Sequence, residues 1–335
     1  MADRRTAMDP AARKWFNTAT FSGTDGDPAS LPAVKAASGR TVSVVIPARN
    51  EAATVAAVVS QIRESLLDIG LVDELVVIDS DSSDGTAERA RSAGAQVFAA
   101  RDIVTGTEPV PGKGEALWKS LFVTSGDLLV FIDADLTEWG PHFVTGLLAP
   151  LLADPDVKLV KGFYDRLADD LPGDEHPVPQ GGRVTELCAR PLLNLYWPQL
   201  AAVVQPLAGE WAIRRSLVET LSVPVGYGVE FATLTDTWQR YGLSAIAQVD
   251  LGRRGHRHQN VHDLGVMAAE ILATAMRRLP GGRIPQEPAG RLQQYDRRVP
   301  DGWLSRPVPT LERPAAIENR YYRPRRNEAG VACSS

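Results

Sequence analysis

Cysteine is nearly absent from this chain, with two in 335 residues, Cys188 and Cys333. That excludes a disulfide framework or a cysteine-based metal site as the organising device, and a reducing cytosol fits. An excess of positive charge is absent as well. The 36 Lys and Arg against 41 Asp and Glu leave a net charge of −5. Generic nucleic-acid binding is thereby excluded, and an anionic ligand has to be held by a local basic site. There is no long unbroken apolar run. The opening residues, MADRRTAMDPAARKWFNTATFSG, lack the apolar core of a signal peptide. The stretch 191–213 is interrupted by Asn194, Pro198, Gln199, Gln205 and Pro206, too often for a spanning helix of about 20 residues. Two phosphate-binding signatures are also missing. The first strand–helix turn reads PARNE, without the glycines of a dinucleotide fingerprint, and PGKG at 111–114 lacks the spacing and the Ser/Thr of a Walker loop.

The composition that remains, 44% hydrophobic and 23% charged, suits one large α/β domain or one domain with an accessory lobe. Strand and helix patterns alternate. TVSVVIPA (41–48), ELVVIDS (74–80), AQVFAA (95–100) and DLLVFIDAD (127–135) read as strands, with helical spacing between them, as at Val55, Val58, Val59, Ile62 and Leu66. This predicts a doubly wound, mostly parallel sheet, whose ligands bind beyond the carboxyl ends of the strands. Those ends read IPARNE, VIDSDS and FIDAD. Beyond about residue 150 the pattern loosens. Further strands are expected over 158–165 and 244–252, with helices around 184–200 and 229–241.

The motifs carry chemistry at those ends. In PARNE, Asn50 and Glu51 can read a base edge, or Asn50 can cap the next helix. Asp79, Ser80 and Asp81 suit a ribose or base, while Ser83 or Asp84 suits a helix cap. Lys113 between two glycines at a helix start suits a diphosphate. Asp133 and Asp135 can converge on one divalent cation, with phosphate oxygens completing its shell. Gly181-Gly182-Arg183 repeats the glycine–cation–helix-start arrangement, with Thr185 close by. In RRGHRH (253–258), His256 and His258 face one way in an extended segment, so one of them can ligate a metal, while Arg254 or Arg257 can neutralise phosphate. Glu230 opens a helix after a glycine-flanked turn and can orient a substrate or serve as a helix-start charge.

The ordered set VVIPARNEAATV, VIDSDSSDGT, GKGEAL and FIDADL resembles the GT-A nucleotide-sugar glycosyltransferases over roughly 40–260. GGRVTEL, GYGVE and RRGHRH make it more similar to the actinobacterial glucosyl-3-phosphoglycerate synthases, retaining enzymes that move glucose from UDP-glucose to 3-phosphoglycerate. The resemblance implies a GT-A fold, Mg2+ with Mn2+ as a substitute, and a homodimer in the cytoplasm with no membrane span. It implies Pro47, Ala48, Asn50, Glu51 and Ser80 at the uridine and Lys113 at the diphosphate. Asp133 and Ala134 would lie at the donor's ribose or sugar, and Glu230 at its glucose. It further implies Asp135 and His256 at the metal, and Gly182, Arg183 and Thr185 at the acceptor, with Tyr227 and His258 assisting. Lys113, Asp135 and Glu230 are the expected catalytic set.

The corresponding division is an N-terminal arm or loose lobe (1–40), a nucleotide-sugar half (41–150), an acceptor half of the same domain (151–280) and a peripheral C-terminal extension (281–335). Rival readings are a related transferase using GDP-mannose or a lipid-phosphate acceptor, a sugar nucleotidyltransferase, and a non-catalytic nucleotide-sugar-binding module. A nucleotidyltransferase typically has a glycine-rich loop where this chain has PARNE.

Overall fold

The computed structural model describes residues 8–24, 29–104, 108, 110–167, 182–255, 260–282 and 290–322. In chain order the strands are β1 (Thr20–Ser22), β2 (Val42–Ala48), β3 (Glu74–Asp79), β4 (Gln96–Ala99), β5 (Leu128–Phe131) and β6 (Leu159–Leu167). They continue with β7 (Trp211–Arg214), β8 (Val223–Pro224), β9 (Ile246–Gly255), β10 (Arg291–Tyr295), β11 (Trp303–Pro307) and β12 (Glu312–Arg313). The helices are α1 (Pro10–Ala19), α2 (Leu31–Ser38), α3 (Val55–Ile62), α4 (Thr86–Ala93) and α5 (Lys113–Ser120). They are followed by α6 (His142–Ala153), α7 (Arg190–Tyr196), α8 (Arg215–Val218), α9 (Val229–Tyr241) and α10 (Val261–Arg278).

Eight strands form one sheet in the order β1-β9-β6-β7-β5-β2-β3-β4. Only β7 runs antiparallel to its neighbours, β5 and β6. The centre is β2, paired in parallel with β3 on one side and β5 on the other. Helices cover both faces, so β2 carries apolar residues at successive positions, and Val42, Val44, Val45 and Ile46 are all fully buried. Val55, Val58, Val59 and Ile62 of α3 are buried as the period expects. Chain order reverses direction across the sheet between β2 and β5, which opens a crevice beyond their carboxyl ends.

The two chain extensions do more than the sequence suggests. Of the segment 1–40, expected as an arm or loose lobe, the described residues 8–24 and 29–40 pack onto the domain. Asp9 caps α1 by accepting from the amides of Ala11 and Ala12. The buried Trp15 indole donates to the Ile246 carbonyl at 2.7 Å, and β1 supplies the edge strand beside β9. Three residues are too short a strand for period-two patterning to register. In the C-terminal extension, β10 and β11 make a half-exposed peripheral hairpin, but the described residues beyond it, 308–322, are drawn inward. There β12 pairs with β8, Arg313 forms a two-pronged ion pair with the buried Glu115 of α5 at 2.7 and 2.9 Å, and Ala316 reaches full burial. Among the described residues no helix is long and apolar enough to cross a membrane.

Candidate active site

At the carboxyl end of β2 the chain turns sharply, with Asn50 at a left-handed φ of 58°. The turn is stitched to the loop after β3. The amide of Asn50 donates to Ser82 Oγ, its side-chain oxygen accepts from the Ser83 amide, and the Glu51 amide donates to Thr86 Oγ1. Asn50 therefore fixes the turn and does not cap α3, whose N-cap is Thr54. Helix α4 is capped at Gly85, and Asp84, one residue before, accepts from the Thr86 amide at 3.1 Å. Asp81 is drawn outward to Arg101 at 2.9 Å.

Beyond β5, the Thr54 hydroxyl donates to the Ala134 carbonyl at 2.7 Å and holds the D-A-D backbone. Asp133 and Asp135 then meet a buried cation, since Arg254 Nη2 lies 3.2 Å from Asp133 and 2.7 Å from Asp135. The same guanidinium pairs with the fully buried Glu210 at 3.1 Å and donates to the Tyr164 hydroxyl at 2.7 Å. Burial works against the charge of Arg254, but Glu210, Tyr164 and the two aspartates outweigh it and hold its pKa well above arginine's ordinary value. Lys113 shows the same balance: burial opposes its charge, while Asp133 at 2.7 Å and Glu230 at 2.9 Å raise its pKa well above lysine's. Behind them Lys161, 1% exposed, donates to the Ala208 carbonyl at 2.8 Å. Burial brings it down to about 8, with Glu230 opposing. The turn that Lys161 holds passes so close to Asp133 that a Cβ on Gly209 would sit 2.2 Å from a carboxylate oxygen, so a larger residue at 209 would displace the Asp133 carboxylate.

The glycines of PGKG serve a purpose different from the expected one. A Cβ at Gly112 would lie 2.1 Å from the Val225 carbonyl oxygen, and one at Gly114 would lie 1.8 Å from that of Pro224. The Gly114 and Glu115 amides donate to the carbonyls of Gly226 and Val225. The Gly114 and Glu115 amides are thus committed to protein, which leaves the Lys113 ammonium as the cation that this loop presents to the cavity.

These elements enclose a cavity of about 380 Å3 lined by Pro47, Ala48, Arg49, Glu51, Ser80, Pro111, Gly112, Lys113, Asp133, Ala134, Asp135, Gly226, Tyr227, Glu270 and Pro309. Seven of the expected donor-side residues (Pro47, Ala48, Glu51, Ser80, Lys113, Asp133 and Ala134) meet there, as does Asp135. Asn50 is exposed on the turn and does not line the cavity, and Glu230 is buried behind Lys113. Tyr227, expected with the acceptor, shares the cavity with the donor-side residues. Gly182, Arg183 and Thr185 start the turn leading into α7 and do not line the cavity. His256 and His258 lie outside the described residues. Sequence reasoning missed Glu210, Lys161, Glu270 and Pro309. Glu210 and Glu270 are single charges set in apolar stretches (LAGEWAI, MAAEILA), and Lys161 follows Leu159 and Val160 in KLVKGF; that was the available signal.

Among the described residues no three His, Cys, Asp or Glu side chains are arranged to hold a metal by themselves. The donor set still fits a hard divalent cation, because Asp135, 30% exposed, opens on a cavity that Lys113 also lines. A cation bound by one or two carboxylates, with its shell completed by substrate phosphates, matches that geometry.

A D-x-D pair facing a polar first turn and a buried lysine across the crevice of a doubly wound sheet defines a glycosyltransferase of the nucleotide-sugar class. The model of glycosyl transferase family 2 matches residues 43–187. The glucosyl-3-phosphoglycerate synthase of Mycobacterium tuberculosis (strain ATCC 25618 / H37Rv) is 46% identical over 290 residues, 85% of this chain and 87% of that protein. The enzyme of the same name from Petrotoga mobilis is 43% identical over 71% of this chain and 73% of its own. The chain belongs to the glucosyl-3-phosphoglycerate synthase family. A crystal structure of the M. tuberculosis synthase in complex with Mn2+, uridine-diphosphate-glucose and phosphoglyceric acid superposes with a TM-score of 0.78 at 43% identity, covering 90% of this chain and 98% of that one. Another, holding Mn2+, uridine-diphosphate and glucosyl-3-phosphoglycerate, gives 0.76 at 43%, covering 88% and 96%.

Proposed function

We propose that this chain transfers glucose from UDP-glucose to 3-phosphoglycerate, with retention at the sugar and with a divalent cation, giving glucosyl-3-phosphoglycerate. The observation that carries this reading is the single cavity that joins the PARNE turn, Ser80, Lys113 and the Asp133–Asp135 pair, in a chain whose relatives bear that name and whose structural neighbours hold those substrates.

The roles follow from placement. Pro47, Ala48, Glu51 and Ser80 form the wall that would receive uridine, with Asn50 fixing its turn. Lys113 would meet the diphosphate, held in line by Glu230, which would also orient the glucose. Asp135 and His256 would hold Mg2+ or Mn2+, which supplies charge stabilisation to the departing diphosphate. Gly182, Arg183 and Thr185 would hold the acceptor, with Tyr227 and His258 assisting. The sequence offers no convincing nucleophile for a covalent intermediate, so same-face attack is the proposed route, the donor phosphate taking the acceptor's proton. A cytoplasmic location and a homodimer complete the reading, together with the division into a nucleotide-sugar half (41–150), an acceptor half (151–280) and two extensions.

The experiment offers UDP-glucose and GDP-mannose in turn, each with and without 3-phosphoglycerate, in Mg2+ or in EDTA. UDP release that needs acceptor and metal is expected with UDP-glucose, and NMR of the product should show the donor's own anomeric configuration. Without acceptor-dependent UDP release the reading fails, and a trapped glycosyl–enzyme adduct would remove the same-face route.

A further inference from the structure

Glu270 has no part in the chemistry above, yet it lies in the cavity wall. It sits in the apolar run MAAEILATAM of α10 and is 5% exposed. Its Oε2 accepts the Tyr227 amide at 2.6 Å. A Cβ on Gly226 would lie 1.9 Å from that oxygen, and one on Gly228 would lie 2.1 Å from Oγ1 of Thr274, one helical turn further along α10. Both glycines flanking Tyr227 therefore rest directly on a shelf made by Glu270 and Thr274. From this shelf the contact runs on to the lysine loop. The carbonyls of Val225 and Gly226 receive the amides of Glu115 and Gly114, on either side of which the PGKG loop and α5 are placed. Two residues after Gly228, Glu230 fixes the ammonium of Lys113 at 2.9 Å. One carboxylate thus stands behind both the backbone and the side-chain partner of Lys113. Holding it there is costly: burial pushes Glu270 up to about 7, against the Tyr227 amide that favours its charge.

We propose that Glu270 is a positioning residue for the donor's diphosphate. Its carboxylate holds the Gly226-Tyr227-Gly228 turn, and through that turn it sets the PGKG loop and the ammonium of Lys113 where the phosphates bind. This rests on the reading of the cavity as the donor site.

The test uses the full chain and three variants, Glu270→Ala, Glu270→Gln and Gly226→Ala. UDP affinity is measured by titration calorimetry in Mg2+, and KM and kcat are measured for both substrates. Removing the acceptor of a buried amide is expected to weaken UDP binding and to raise the KM for UDP-glucose about tenfold in Glu270→Ala, leaving the KM for 3-phosphoglycerate within about twofold. Glu270→Gln keeps an oxygen that accepts the same amide and should return to within about threefold of the parent. Gly226→Ala, which displaces the turn from the other side, should reproduce the donor defect even where Glu270→Ala fails to fold. A Glu270→Ala protein with parental UDP affinity overturns the proposal. So does a Glu270→Gln protein as impaired as the alanine variant, or an acceptor KM that moves as far as the donor's. If the parent itself binds no UDP, the cavity reading falls. If the parent binds UDP and the variants match it, only the role of Glu270 falls.

Discussion

Replacing Arg254 with methionine is the sharpest way to probe how the site is held together. Arg254 is 4% exposed and pairs with Glu210, Asp133 and Asp135. The two aspartates are partly open to the cavity and can recover water. Glu210 is fully buried and is left with its hydrogen bond with Tyr164 and the charge of Lys113. Removing one partner of a buried pair costs about 3–5 kcal/mol, because the other charge is left uncompensated. For a chain of 335 residues, an unfolding entropy of about 2.1 cal/mol/K per residue turns that into a Tm lower by about 4–7 °C. The loss also has a pH signature. Burial already raises the carboxyl of Glu210 above a glutamate's 4.5 while Arg254 pulls it down, so in Arg254→Met it rises further. A folded-state pKa above the unfolded one adds stability that is complete below the unfolded pKa and is lost as pH rises through the folded one. The variant's deficit should therefore be largest at pH 8 and shrink toward pH 5. Calorimetric melts of both proteins at the two pH values measure it, and Glu210→Gln added to Arg254→Met should restore most of the loss at pH 8. An equal deficit at both pH values, or none, would refute the reasoning.

Two further outcomes are expected. Asp135→Ala should lower metal-dependent turnover by at least about 100-fold while moving Tm by less than about 2 °C, since a partly exposed carboxylate contributes little to folding; activity assays across a Mn2+ titration and melting curves check both halves. Arg313→Ala removes the two-pronged partner of the buried Glu115, which keeps Lys119 at 3.3 Å, and should cost about 2 kcal/mol, raise the KM for UDP-glucose through the Pro309 wall, and open 308–322 to protease; urea melts and limited proteolysis would show it.

Most of the parts of the site that were legible in the sequence share one property: each follows an apolar strand directly, while Lys113 and Glu230 were marked by glycines at a helix start. PARNE, IDSDS and FIDAD announce themselves because a buried strand ending in polar residues needs a reason, and parallel winding brings all such ends to one edge. What escaped was set by distance along the chain. Arg313 finds Glu115 across 198 residues, and Arg254 finds Asp135 across 119; no local period encodes either meeting. Glu210, Lys161 and Glu270 each interrupt an apolar run, and periodicity alone reads such a charge as a solvated position. PGKG was found for a partly mistaken reason. Close backbone approach was the correct physics for its glycines, but the neighbour is the 224–226 segment of the same chain.

The charge arrangement indicates how the cavity admits its ligands. Four carboxylates (Asp133, Asp135, Glu210 and Glu230) face three cations (Lys113, Lys161 and Arg254), and each cation is in hydrogen-bond or ion-pair contact with the protein. A diphosphate entering alone adds two negative charges beside an acidic pair, and a divalent cation entering alone adds two positive ones beside the arginine that already bridges that pair. Either imbalance is amplified in a poorly solvated cleft, where the effective dielectric is far below that of water. Together they leave the sum unchanged, and on the proposed assignment the exchange is one of partners: Asp135 would pass from Arg254 to the metal, and Lys113 would gain phosphate oxygens while Glu230 keeps it in line. On this assignment UDP-glucose affinity should collapse in EDTA far more than the loss of a single ligand bond would produce, because the carboxylates facing an anionic substrate would make its binding conditional on the metal.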